Sequence, residues 1–181
     1  MDDLIKSNIR TAVWRQSMEE EINVLLENRL TVIEELCRNN IKAVRDGLTD
    51  ALKKLALSNG EGSLTISYLR SSYITCSHFF YIAYYEDELF VAEEPGGFYF
   101  DISGLFAGIE EDFTQINRRL TGNYIRVFDS EKEEMRRFYM EKLYQSMGAV
   151  FQIILENRKK EDGIKVYFGG YMEEQRLLCS I

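Results

Sequence analysis

Two side chains that could act in nucleophilic chemistry, Cys76 and His78, stand two residues apart. A cysteine nucleophile needs an imidazole within hydrogen-bond reach and a third group that orients the ring. Side chains two apart on a strand share a face but stand nearly parallel, so they seldom aim at each other. We therefore predict that both are structural and that the chain has no catalytic residues of this type. A single histidine also disfavours a histidine-based zinc site.

A set of carboxylates is the second candidate for chemistry. Residues 71–117, called the acidic segment below, hold nine acidic side chains and no Lys or Arg. The acids are Glu86, Asp87, Glu88, Glu93, Glu94, Asp101, Glu110, Glu111 and Asp112. The whole chain has 22 basic and 30 acidic side chains and a formal net charge of −8. The remainder is therefore close to neutral, and the excess charge arises from the acidic segment.

Carboxylates can bind a hard cation or serve in a catalytic pocket where their oxygens converge. Glu93 and Asp101 flank the loop at residues 95–97, and Glu110 begins a run of three acids on a predicted helix. Consecutive helical side chains diverge around the axis, and the Asp-x-Asp-x-Asp-Gly calcium loop does not occur. We predict no metal and no cofactor. An enzyme or small-ligand binder with a site at Glu93, Asp101 and Glu110 is an alternative if these carboxylates converge in a concave pocket.

The acidic segment favours a docking surface for a protein partner with a basic surface. Charge speeds association over long distances, and aromatic side chains supply binding energy at short range. The predicted partner-binding residues are Glu86, Asp87, Glu88, Glu93, Glu94, Asp101, Glu110, Glu111, Tyr85 and Tyr99. An alternative within this class is an acidic inhibitor, of the immunity or anti-defence type, that blocks a basic nucleic-acid-binding protein.

Composition limits the class of protein. Eleven Tyr, eleven Phe and a hydrophobic fraction of 45% support a packed core and argue against disorder. A pI near 4.9 argues against direct nucleic-acid binding, which needs clustered Lys and Arg. We expect no membrane span, because apolar runs are too short, and no secretory signal, because the N-terminus is acidic. Three widely spaced cysteines, Cys37, Cys76 and Cys179, predict a reducing, cytoplasmic location.

A long N-terminal helix is the first of the elements that must position these side chains. Residues 1–15 predict a short helix, and Ser17 followed by three glutamates predicts the start of a second. Apolar side chains then recur every three or four residues over about 18–57, as in an amphipathic helix. They are Met18, Ile22, Leu26, Leu30, Ile33, Cys37, Ile41, Val44, Leu48, Leu52 and Leu55.

Such a helix extends roughly 60 Å at 1.5 Å per residue, which exceeds the width of a domain of this size. It must therefore either break, with residues 39–40 and Gly47 as weak points, or pack against a second chain. We predict the second outcome, a homodimer formed through this helix.

Alternating and continuous apolar runs predict strands near residues 63–68, 74–85, 89–92, 98–100, 164–168 and 176–181. A helix is expected from Ser103 or Gly104, with Phe106, Ile109, Phe113, Ile116 and Leu120 on one face. Ser130 and Glu133 have the spacing of a capping box for a helix to about residue 160. Its apolar stripe is Met135, Tyr139, Leu143, Met147, Val150 and Ile154.

These patterns predict an α+β fold, in which an antiparallel sheet of about four to six strands packs against long amphipathic helices at about residues 18–57 and 130–160. We expect residues 1–60 to form an N-terminal helical arm and residues 61–181 an α+β body, together one structural unit. The predicted function is a non-enzymatic, cytoplasmic protein-interaction module that self-associates through its N-terminal helix.

Overall fold

A five-stranded sheet with helices on one side forms the molecule. The computed structural model describes residues 2–56, 62–75, 77–86, 89–91, 96–123, 127–155 and 164–181. In chain order the elements are α1 (Asp2–Ala56), β1 (Ser63–Tyr68), α2 (Arg70–Thr75), β2 (Phe79–Tyr85), β3 (Gly97–Asp101), a 3-10 turn (Ser103–Phe106), α3 (Ile109–Asn123), α4 (Asp129–Leu155), β4 (Lys165–Gly170) and β5 (Gln175–Ser180). The α+β class and the long helices packed on a sheet are confirmed.

The strand order is β3-β2-β1-β4-β5. Three neighbouring pairs are antiparallel, as predicted, but β1 and β4 run parallel at the centre. The sheet is therefore mixed. Alternation along a strand marks which faces are buried and carries no information on strand direction. The long crossover through α3 and α4 permits the parallel direction of β4, because parallel neighbours cannot be joined by a hairpin.

The core lies between the helices and one face of the sheet, called the inner face, which carries Ile66, Phe80, Ile82 and Phe168. The Phe151 ring of α4 packs at centroid distances of 5.2 Å from Phe80 and 5.8 Å from Phe168. All six residues of the predicted α4 stripe are buried: Met135, Tyr139, Leu143, Met147, Val150 and Ile154. None of the described helices has the length and hydropathy needed to cross a membrane.

Helix α1 runs without interruption from Asp2 to Ala56, so the predicted helix start at Ser17 is wrong. Trp14 and Met18, on either side of Ser17, are 1% and 2% exposed. A capping signal has a value of about 1 kcal/mol, and burying two large side chains in one helical register contributes more. Packing therefore continues the helix through Ser17.

The predicted weak points at residues 39–40 and Gly47 do not break α1 either. A glycine inside a helix costs about 1 kcal/mol relative to alanine. The next residue, Leu48, is fully buried, and a Cβ placed on Gly47 would lie 3.7 Å from the Phe100 ring of β3. The helix is held by the body of the protein at the position where it was expected to bend.

The apolar stripe of α1 packs onto α3, α4 and the sheet in a single core. Of the predicted stripe, Met18, Ile22, Leu26, Ile33, Cys37 and Leu48 are buried, and Leu30 is partly buried. The side chains of Ile41, Val44, Leu52 and Leu55 and the predicted domain boundary at residue 60 lie outside the described residues. The described part of the stripe is thus covered within one chain.

The predicted strand at residues 74–85 begins only at Phe79, and helix α2 occupies the residues before it. Local hydrogen bonds from short polar side chains explain the difference. The Thr75 hydroxyl donates to the Ser71 carbonyl at 2.9 Å, and the Ser72 hydroxyl donates to the Phe79 carbonyl at 3.1 Å. These bonds stabilise a compact turn where apolar periodicity alone indicated a strand.

His78 lies just before β2 with a φ of 51°. The prediction that it shares a strand face with Cys76 is therefore wrong, and Cys76 itself lies outside the described residues. The predicted strand at residues 89–92 is also wrong where it is described, because residues 89–91 form a turn in which Phe90 has a φ of 63°. Left-handed residues thus occur in the chain both before and after β2.

The predicted helix start at Ser103 is a short 3-10 turn, and α3 itself begins at Ile109 after Gly108, whose φ is +88°. All five residues of its predicted stripe are buried: Phe106, Ile109, Phe113, Ile116 and Leu120. The periodic pattern was therefore informative about the buried face and not about the boundary.

Half of a capping box begins α4, two residues earlier than predicted, because Phe128 has no side-chain oxygen to complete it. The Phe128 N–H donates to the Glu131 carboxylate at 2.7 Å, and the Phe128 carbonyl accepts from the backbone of Glu131 at 3.1 Å. The predicted pair of Ser130 and Glu133 is thus wrong. The side chain of Glu131 also accepts from Arg10 of α1 at 2.7 Å, and this tertiary partner favours the earlier start.

Candidate docking surface

The face of the sheet opposite the helices, called the outer face, carries a connected row of aromatic rings. Ring centroids are separated by 6.5 Å for Phe79–Tyr99, 5.2 Å for Tyr99–Tyr81, 5.6 Å for Tyr81–Tyr171, 6.0 Å for Tyr171–Phe90 and 5.3 Å for Phe90–Tyr85. These six residues are the outer aromatic row. Cross-strand pairing places Tyr81 beside Tyr99 and Ser67, which are the positions that point away from α4.

Exposure varies steeply along the outer aromatic row. Tyr99 is 65% exposed and Tyr85 only 1%; the other rings are half-buried. Val91 and Met172, which follow Phe90 and Tyr171 in the chain, are 74% and 68% exposed. Tyr99 can therefore contact a partner directly, whereas Tyr85 packs beneath the surface.

The predicted acidic residues lie in separate places. Asp101 is exposed on β3, on the same face as Tyr99 and paired with Phe79 across the strands. Glu86 is exposed directly after β2, while Glu110 and Glu111 are exposed on α3. Asp87, Glu88, Glu93 and Glu94 lie outside the described residues. The structure thus places Tyr99 and Asp101 on β3 and the two helical acids on α3, and the charges of Asp101 and Glu110 both act on His78.

Distant arginines neutralise part of the acidic segment. Arg136 of α4 binds Glu110 through both of its terminal nitrogens, one of them at 3.0 Å, and stacks 4.3 Å over the Phe113 ring. The hydrogen bonds from Arg136 lower the pKa of the Glu110 carboxyl. Glu110 is therefore engaged within the chain, and the acidic segment is less bare than its local sequence indicated.

A buried ion pair, which the sequence analysis missed, joins three helices. The Arg29 guanidinium of α1 donates to both oxygens of Asp112 on α3, at 2.7 and 2.8 Å, and the Tyr139 hydroxyl of α4 donates at 2.5 Å. Arg29 also donates to the carbonyls of Ala107 and Gly108, each at 2.6 Å. Burial and the adjacent carboxylate raise the pKa of Tyr139. Hydrogen bonding to Asp112 also raises the pKa of Arg29, so Arg29 stays charged and Tyr139 neutral, which is typical of a structural tie.

The His78 ring is held at the edge of the core. It stacks on Phe106 with centroids 4.6 Å apart and planes 12° apart, and its Nδ1 lies 3.1 Å from the Tyr144 hydroxyl. Burial, followed by the positive charge of Arg136, lowers the pKa of His78. The ring is consequently neutral at pH 7 and fills space in the manner expected of a structural histidine.

This lowered pKa predicts a pH-dependent stability. The unfolded chain binds the proton first, near pH 6.5, so the free energy of unfolding should fall as the pH drops through 6.5 and level off below the folded pKa. Carboxylates such as Glu110 have an ordinary pKa near 4.5 and contribute at lower pH. Urea unfolding at pH 7.5 and 5.5 measures the difference. His78→Asn, which tolerates the left-handed backbone, should remove it, and equal pH slopes for both proteins would contradict the assignment.

Two open grooves lie near the helical acids. One, of about 690 Å³, is lined by Arg15, Ile74, Ser130, Glu133, Glu134, Arg136 and Arg137, and another, of about 370 Å³, by Glu110, Glu111, Thr114, Gln115 and Arg118. Asp101 lines neither groove. Asp101 and Glu110 therefore do not line a common groove of these two. Among the described residues, no group of three or more His, Cys, Asp or Glu side chains is placed to hold a metal ion.

Comparisons with protein-family models, with curated proteins and with solved structures find no match for this chain. The feature of the described residues that best fits a function is the outer face, where an exposed ring and an exposed carboxylate stand side by side on one strand.

Proposed function

We propose that this protein is a non-enzymatic protein-interaction module that docks a partner with a basic surface on the outer face of its sheet. The outer aromatic row, with Tyr99 65% exposed next to the exposed Asp101, is the observation that supports the proposal. Tyrosine is among the residues that dominate binding energy in interfaces. A neighbouring carboxylate attracts cationic partners and speeds their association.

The charge of Asp101 is available to a partner. The Ser103 backbone N–H donates to its Oδ1 at 2.8 Å, and this bond lowers the pKa of the Asp101 carboxyl. The basic residue Lys165 is on the same face, but it is three strands away, which alone amounts to roughly 14 Å at 4.8 Å per strand. It also lies at the other end of the strands, because its row leads through Ser63 to Tyr85 whereas Asp101 pairs with Phe79. That separation exceeds the Debye length of about 8 Å at physiological salt, so Lys165 leaves the charge of Asp101 largely unopposed.

An acidic inhibitor would use the same surface and would differ only in the identity of its basic partner. We place the protein in the cytoplasm, in line with the buried thiol of Cys37, whose pKa burial raises to about 11. The homodimer through α1 stays a prediction, which sedimentation equilibrium can test. The described part of the apolar stripe of α1 is covered within one chain, so it leaves little apolar surface there for a second copy.

Affinity capture from lysate with three forms of the protein tests the proposed function. The double variant Tyr99→Ser with Asp101→Asn removes one ring and one charge from the outer face. We expect the double variant to capture about tenfold less of a partner than wild-type protein does, or even less. The reason is that anchor residues at an interface each contribute at least about 1–2 kcal/mol.

The matched control is Ile74→Ser with Glu133→Gln, which removes one exposed apolar group and one carboxylate from the groove beside α4. It should retain every partner. Binding of the wild type should also weaken as salt rises from 0.1 to 1 M, because exposed charges are screened. Equal capture by all three proteins would exclude the outer face as the docking surface.

A further inference from the structure

Strand β3 is an edge of the sheet, with β2 on one side. The Ile102 N–H donates to the His78 carbonyl at 3.3 Å, and the Tyr84 N–H donates to the Gly96 carbonyl at 3.4 Å. In an antiparallel pair, hydrogen-bonded positions alternate, so the even-numbered residues of β3 turn their backbone groups towards β2. The backbone N–H and C=O groups of Gly97, Tyr99 and Asp101 therefore point outwards. No described residue bonds to them.

The two edge strands of the sheet, β5 and β3, differ in how well they prevent an additional strand from pairing with them. The β4–β5 pair carries an irregularity between Val166 and Tyr167, and Arg176 of β5 lies 5.5 Å over the Phe168 ring. Bulges and basic side chains are common devices that block an edge. The pairing of β3 with β2 is regular, and β3 contains no Lys, Arg or Pro. The edge at β3 is consequently the better template for a further strand.

The side chains of β3 define what an added strand must carry. On the outer face, two successive positions of that strand would stand beside Tyr99 and Asp101, where a Lys or Arg meets a ring face and a carboxylate. On the inner face, the alternate positions of the added strand would stand beside Phe98 and Phe100, which are partly buried against the core. The fitting sequence therefore alternates basic and apolar residues.

We propose that β3 binds an extended segment of a partner protein, with alternating basic and apolar residues, as an additional strand of the sheet. This inference rests on the proposed function and specifies how the partner docks. Main-chain hydrogen bonds supply affinity in such strand addition, and pockets for alternate side chains supply specificity. A second copy of this chain fits less well, because each copy has a net charge of −8 and β3 offers no cation to the other Asp101.

The test uses a nine-residue peptide of alternating Lys and Val, blocked at both termini, and two N-methylated forms. One form carries a methyl group on the backbone nitrogen of every Lys, and the other carries one on the backbone nitrogen of every Val. In an added strand only one of these sets of N–H groups faces β3: the Lys set if the strands are antiparallel, the Val set if they are parallel. We expect one methylated form to bind at least about tenfold more weakly than the parent, because several hydrogen bonds are lost, and the other to bind like the parent.

Fluorescence anisotropy at low salt gives the affinities, and circular dichroism checks the fold of each variant. Tyr99→Pro, which removes an outward N–H and spares the bonds to β2, should weaken binding beyond Tyr99→Ser. Equal affinity of both methylated forms would overturn strand addition. If the double variant Tyr99→Ser with Asp101→Asn still bound these peptides more weakly than wild-type protein, the outer face would remain the proposed docking surface, without strand addition.

Two further outcomes would also overturn strand addition. The first is no binding of the parent peptide, in which case the capture experiment alone decides the proposed function. The second is a concentration-dependent dimer of the protein that Tyr99→Pro abolishes, which would make a second copy the occupant of the edge.

Discussion

Replacing Asp112 with Ala is expected to lower the free energy of unfolding by about 3–5 kcal/mol, since it leaves a buried arginine without its partner. Asp112 is 5% exposed and accepts hydrogen bonds from Arg29 and Tyr139 on two other helices. Its loss also removes the acceptor of the buried Tyr139 hydroxyl, and leaving a buried donor unpaired costs free energy. The midpoint and slope of urea unfolding measure the change.

The neighbouring residue provides the control. Glu111→Ala removes the same charge from the next position of α3, but Glu111 is exposed, so its cost should stay within about 0.5 kcal/mol. A combined replacement of Arg29 by Met, Asp112 by Leu and Tyr139 by Phe should recover much of the loss, because buried ion pairs can often be exchanged for apolar packing. Equal costs for Asp112→Ala and Glu111→Ala would show that the ion pair does not hold the helices.

The second large effect separates the two aromatic layers of the sheet. Phe80→Ala should cost about 3–5 kcal/mol, the range for deleting a buried aromatic ring, because its ring packs against Tyr144, Phe151 and Phe168. Tyr99→Ala, on the opposite face, should cost less than about 1 kcal/mol. Chemical denaturation of both variants, with an unchanged slope as the check on two-state behaviour, measures the contrast. Similar costs would mean that the outer row supports the core and is not a surface for partners.

Buried faces were predicted well from the sequence because helical periodicity is a local property. The stripes of α3 and α4 are buried residue for residue, from Phe106 to Leu120 and from Met135 to Ile154. Strands β1, β3, β4 and β5 also lie close to their predicted positions. In each case the apolar pattern indicates which side chains are buried, and packing in the folded protein buries those same side chains.

Features that depend on residues far apart in the chain were not predicted. The pairing of Arg29 with Asp112 spans 83 positions, and no local pattern marks an acid as buried. The uninterrupted course of α1 through Ser17 arises from tertiary packing of Trp14 and Met18, which outweighs a local capping signal. Strand direction at the centre of the sheet likewise depends on the crossover and not on the strand sequences.

The candidate surface was predicted in part. Tyr99 and Asp101 stand two apart on one strand, so their shared face follows from alternation alone. The Phe90 ring packs edge-to-face against the buried Tyr85 ring with centroids 5.3 Å apart, and Phe90 was assigned to a strand that does not exist in the described residues. Tyr171 was overlooked, because its place in the row depends on the turn after β4.

The central parallel pair has a consequence for how the protein is made. Strands β1 and β4 are about 100 residues apart in the chain, and each β1 residue from Ser63 to Tyr68 has its partner between Lys165 and Gly170. A nascent chain on the ribosome therefore cannot complete the middle of its sheet until the residues of β4, up to Gly170, have been synthesised. Until then one edge of β1 lacks its neighbour, and long-range pairing of this kind is slow. The appearance of β4, and not of the first strands, sets the earliest moment at which the native sheet can form.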